Sequence, residues 1–173
     1  MRLFFALWPP REAASALHAW ATRACRQTGG RVTRAETIHL TLAFLGEIEA
    51  SRISSLKSIG RASGGKAHVL PIEQARYWKH NGIVWAGPNE IPAPLAALDV
   101  DLRNNLEREG FSLESRAFAA HVTLIRKARE PGAALPGLPG VDWPVSEFVL
   151  VRSALAREGS SYRTIERFAL DQR

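Results

Sequence analysis

Two tetrapeptides of one form stand 82 residues apart, His39-Leu40-Thr41-Leu42 and His121-Val122-Thr123-Leu124. With 5 His in 173 residues, chance supplies about 0.2 His-x-Thr matches, so a duplicate with the same trailing Leu asks for a common purpose. Imidazole has an ordinary pKa near 6.5, which lets one ring take a proton while another gives one at neutral pH. Two such rings on opposite sides of a phosphodiester, with the Thr41 and Thr123 hydroxyls donating to its nonbridging oxygens, make a complete acid-base site. A water nucleophile on a cyclic phosphate and ribonuclease-like cleavage both fit this pair.

The pairing works only if each motif is extended. On a strand, residues i and i+2 share a face, so His39 and Thr41, like His121 and Thr123, become neighbours on one side. Leu40, Leu42 and Phe44, and Val122 and Leu124, then point to the core. That parity assigns Phe44 to packing and away from base stacking. It also turns Arg126 from His121 unless the strand ends or bulges there.

The elements around the motifs are legible in outline. Residues 2–8 are β-prone and stop at Pro9-Pro10, and the apolar spacing of 11–26 predicts a helix ended by Gly29-Gly30. Extended pieces at 31–34 and 38–45 precede a helix over 51–63. Strands are expected at 67–78 and 83–86 around His80-Asn81-Gly82, then a helix over 92–109 and a strand at 120–126. A Pro- and Gly-rich surface loop, 131–140, leads to strands near 145–156 and 162–170. This order favours α+β with largely antiparallel sheets and one domain over 1–173.

Other chemistries fit less well. His39 and His121 lack an acidic third ligand for zinc beside either motif, Gly64-Gly65-Lys66 lacks P-loop spacing, and no Ser-His-Asp set stands out. No metal and no cofactor is expected. His18, His68 and His80 read as structural or solvent-facing, and Cys25, the one cysteine, as a small core residue that rules out an internal disulfide. Composition is that of a folded protein, 46% hydrophobic and 23% charged, with no long apolar run, and the expectation is a cytoplasmic protein. A net charge of +6 favours anionic partners, with Arg23, Arg26, Arg31, Arg34, Arg76 and Lys79 as a candidate RNA-binding rim.

The paired motifs, extended to His39-Leu40-Thr41-Leu42-Ala43-Phe44-Leu45-Gly46 and His121-Val122-Thr123-Leu124-Ile125-Arg126, resemble those of two-histidine phosphoesterases. The bacterial RNA 2′,3′-cyclic phosphodiesterases, once called 2′-5′ RNA ligases, are the most similar group. The opening Arg2-Leu3-Phe4-Phe5-Ala6-Leu7 and the closing Tyr162-Arg163-Thr164-Ile165-Glu166-Arg167-Phe168 are similar to that group too.

The resemblance implies a bilobal α+β fold, two mainly antiparallel sheets with pseudo-twofold symmetry about a central cleft and helices outside. It implies metal-independent hydrolysis of an RNA-terminal or nucleoside 2′,3′-cyclic phosphate to a 2′-phosphomonoester, with reversible 2′-5′ ligation as a companion reaction. His39 would be the proton donor to the 3′ oxygen and His121 the acceptor from water; Thr41, Thr123 and Arg126 would hold the phosphate. A monomer suffices for a cleft within one chain. The rival from another class is a noncatalytic RNA-binding module using the same basic cleft.

Overall fold

The computed structural model describes residues 1–173. Strand β1 (Arg2–Leu7) carries five consecutive buried residues and is central in its sheet. Helix α1 (Arg11–Thr28) follows with Pro10 at its N-cap, burying Leu17, Trp20, Ala21 and Ala24 on one face. A short strand β2 (Arg31–Val32) and a 3₁₀ turn, Ala35–Thr37, lead to β3 (Leu40–Glu47). Helix α2 (Ile53–Ala62) comes next, then β4 (His68–Ile72), β5 (Gln74–Trp78), β6 (Ile83–Gly87), α3 (Ala93–Arg108) and β7 (Val122–Arg126). Strands β8 (Val141–Val145), β9 (Glu147–Ala156) and β10 (Gly159–Ala169) complete the chain.

The fold is α+β with two antiparallel sheets of unequal size. The larger runs β10-β9-β1-β3-β7-β6-β5, with β2 also on β7, and the smaller is β4-β8. Both motif strands lie in the larger sheet and meet at one residue pair, Leu40 with Val122. The helices bury their apolar stripes in the core that also takes Leu40, Leu42, Val122 and Leu124. Gly60 lets α2 approach β10, since a methyl group there would overlap the Phe168 ring. No helix is long and apolar enough to cross a membrane.

Three details differ from the expectations. The stretch 67–78 is two strands, β4 and β5, in different sheets, because the chain leaves one ladder for the other at Glu73. Strand β8 was hidden by its Pro144, a residue that argues against a strand; β8 has only β4 beside it, so the missing donor is tolerated. The 131–140 segment is the surface loop that the sequence predicts, tied to α1 where Pro136 O accepts from Trp20 Nε1 at 3.0 Å.

Phe44 is the difference that bears on the site, for it is 41% exposed. Against β1, Ala6 pairs with Thr41 and Phe5 with Ala43, so Leu42 is an extra residue, a β-bulge. Both Leu42 and Ala43 are therefore buried, and Phe44 turns outward. The second motif does the same. Val84 pairs with Ile125 and Trp85 with Thr123, leaving Leu124 extra; Leu124 and Ile125 are both buried and Arg126 turns outward.

Candidate active site

Each motif strand starts one residue after its histidine, so both imidazoles sit at strand mouths. Continuing the antiparallel register from Leu40 and Val122 sets His39 across from Thr123 and Thr41 across from His121. All four side chains, with Arg126, line one cavity of about 300 Å³. The five residues singled out in the sequence are thus brought together. Arg126 reaches this side because the Leu124 bulge reverses the parity that would have taken it away.

The rings are held alike. His39 Nδ1 lies 2.7 Å from Thr37 O and His121 Nδ1 lies 2.8 Å from Ala119 O, each two residues back. A carbonyl only accepts, so Nδ1 carries the proton in both contacts and Nε2 is left for chemistry.

Their surroundings differ. Around His39 lie Trp8 (ring centroids 4.9 Å apart, 10° between planes), Phe4 at 5.0 Å and Tyr162 at 5.2 Å, edge-on. Beside His121 are Trp78 at 4.8 Å and Trp85 at 6.4 Å, both edge-on. Burial pushes His39 down to about 4, against the raising effect of its Thr37 hydrogen bond, and the charges of Arg126 and His121 push the same way. His121 is also lowered, first by burial and then by Arg126, with the Ala119 bond opposing.

Sequence reasoning placed Arg31 only in a diffuse rim. In the structure Arg31 is the cross-strand partner of Arg126, lines the same cavity, and neither guanidinium has an ion-pair partner. Like charges directly opposite are destabilising unless an anion lies between them. The sequence signal was there in the first extended piece, 31–34, but only pairing with β7 gives it meaning. Arg34 also lines the cavity, donating to Ser160 O at 3.1 Å across to the β9–β10 turn. Arg76 instead donates to Gln74 Oε1, and Lys79 pairs with Glu130.

A second cavity of about 410 Å³ shares Thr41, Ile83 and His121 with the first and adds Phe44, Trp78, His80, Arg103 and Phe118. Among the other histidines, His18 Nδ1 lies 3.0 Å from Thr33 O and His68 Nδ1 2.8 Å from Lys66 O. Cys25 is half-buried, its Sγ donating to Gly29 O at 3.4 Å. Nowhere do three His, Cys, Asp or Glu side chains converge as metal ligands.

Residues 7–85 match the family described as LigT-like phosphoesterase. The chain is similar to the RNA 2′,3′-cyclic phosphodiesterase of Escherichia coli (strain K12), 34% identical over 99% of this chain and 97% of that protein. It is also similar to the protein of that name from Thermus thermophilus, 29% identical over 98% and 90%. A crystal structure of E. coli LigT complexed with 3′-AMP superimposes with a TM-score of 0.91 at 32% identity, covering 99% of this chain and 98% of that one. A full-length likeness at this identity, together with a duplicated motif strand in one shared sheet, makes this chain a member of the LigT-like, two-histidine phosphoesterase family.

Proposed function

We propose that the protein hydrolyses 2′,3′-cyclic phosphates at RNA ends or on nucleosides, without a metal ion, leaving a 2′-phosphomonoester. The observation that carries this reading is the convergence of His39 and His121 on one cationic cavity with both Nδ1 atoms engaged behind them. The relatives' shared name, RNA 2′,3′-cyclic phosphodiesterase, supports the substrate class.

In this mechanism Thr41, Thr123, Arg126 and Arg31 hold the phosphate, and the nucleoside takes the second cavity, its base against the exposed face of Phe44. His121 Nε2 takes a proton from water as its oxygen bonds to phosphorus. The bond to the 3′ oxygen breaks, and that oxygen takes the proton from His39 Nε2. The pair ends with exchanged protonation and resets through solvent. With a 5′-hydroxyl in place of water the same steps join two strands by a 2′-5′ bond, and bulk water favours hydrolysis.

His39 must be the protonated member in the complex, although burial disfavours its charge in the free protein. The bound phosphate supplies the opposite charge that reverses this. The whole cleft lies within one chain, so we propose a working unit that is one bilobal domain and a monomer.

The test uses a nucleoside 2′,3′-cyclic phosphate and a cyclic-phosphate RNA in the presence of a chelator. His39→Ala and His121→Ala are each expected to lower kcat by about 10²–10⁴-fold, the usual worth of a positioned proton transfer. Phosphatase mapping should find the phosphate on the 2′ oxygen. Undiminished turnover in either folded variant overturns the reading, a 3′-phosphate product exchanges the leaving oxygen, and salt-sensitive RNA binding with no hydrolysis leaves only a binding module.

A further inference from the structure

The two motifs match in strand, bulge and Nδ1 contact, yet only one histidine has a ring lying flat against it. Trp8 is stacked on His39 at 4.9 Å and 10°, whereas both indoles near His121 meet it edge-on. Trp8 is absent from the lining of either cavity, so it stands behind the imidazole and away from substrate.

One 3₁₀ turn, Ala35–Thr37, fixes both rings. Thr37 O accepts from His39 Nδ1 at 2.7 Å, and the adjacent Glu36 O accepts from Trp8 Nε1 at 3.3 Å. The backbone at Trp8 is restricted as well, since Pro9 follows it and disfavours helical conformations there. Tyr162 meets both rings edge-on, at 5.8 Å from Trp8 and 5.2 Å from His39, and closes the stack from β10. A ring so enclosed cannot turn about its Cβ–Cγ bond without displacing an aromatic neighbour.

We infer that Trp8 is a positioning residue for His39, the flat indole holding the imidazole plane so that Nε2 stays aimed at the leaving oxygen. The face of an indole also favours a cation, so the stack supports His39 in the protonated form its task requires. In the cavity that this ring faces, the other charged or titratable groups are Arg126 and His121 from β7 and its mouth, Arg31 from β2, Arg34 beside the 3₁₀ turn, and Glu158 and Tyr162 from the β9–β10 hairpin. None of them is stacked on it. The inference rests on His39 being the proton donor.

The experiment compares Trp8→Phe, which keeps a ring face, with Trp8→Leu, which keeps apolar bulk without one. Trp8→Leu is expected to lose about tenfold or more in kcat with KM within twofold, as a misplaced catalytic group does, and Trp8→Phe to recover most of that loss. In the wild-type protein the His39 ring protons, identified by their disappearance in His39→Gln, should resonate upfield of those of His121 from the indole ring current. Equal kcat in the two folded variants, a change confined to KM, or unshifted His39 ring protons would overturn the role of Trp8. If His39→Ala itself retained turnover, the proton-donor reading would fail instead, so the two failures are told apart.

Discussion

At the scale of single residues, the two imidazoles of the cleft couple pH to stability, and in the proposed mechanism to turnover as well. The native pKa of His39 is about 4 and that of His121 is also below the ordinary value, while an unfolded chain returns both to about 6.5. Above that value both rings are neutral in either state and contribute no slope. As the pH falls from about 6.5 toward 4 the unfolded chain binds more protons than the native one, so stability drops across that window. Urea unfolding at pH 7 and at pH 4.5 should therefore show a smaller difference for His39→Gln than for the wild-type protein. Equal differences would mean that the His39 ring is not held neutral by its burial.

At the scale of elements, the bulges decide which side chains reach the cleft, and they mark the limit of what the sequence disclosed. The His-x-Thr pairs were legible because strand parity over three residues needs no neighbour. Beyond them, parity assigned Phe44 to the core and turned Arg126 away from His121 unless the strand ended or bulged. The extra Leu42 and Leu124 reverse both. Those bulges arise from pairing with β1 and β6, and are finished by contacts from elsewhere: Thr33 N donates to Leu124 O at 2.8 Å and Arg103 Nη2 to Leu42 O at 3.4 Å. No local pattern announces such partners, just as none announced that Arg31 pairs with Arg126. Gly30 ties that arrangement to α1. Its φ is 91°, and an added Cβ would stand 2.5 Å from Arg126 O. Gly30→Ala should thus cost about 1–3 kcal/mol of stability, from backbone strain and overlap, and weaken phosphate binding by displacing the end of β7. Chemical denaturation and calorimetric titration with inorganic phosphate would measure both, and an unchanged phosphate affinity would break the link between Gly30 and Arg126.

At the scale of the molecule, the two halves of the large sheet are joined through β3 and β7, which form a single residue pair before they diverge around the cavity. The gap between them is lined by cationic and hydroxyl groups from both sides, with Arg31 and Arg126 unpaired, so the native sheet carries a repulsion that an anion removes. An anion bound across that gap binds the folded chain and not the unfolded one, and stabilises it by mass action, about 2.7 kcal/mol at a concentration one hundred times Kd. Inorganic phosphate or 3′-AMP should accordingly raise Tm in the wild-type protein in a concentration-dependent way. Arg126→Ala starts without the repulsion yet lacks a clamp, so its Tm without ligand should match or exceed that of the wild type while the ligand-induced rise shrinks. A rise of equal size in both proteins would place the anion elsewhere, and the cleft would lose the charge that the proposed chemistry needs.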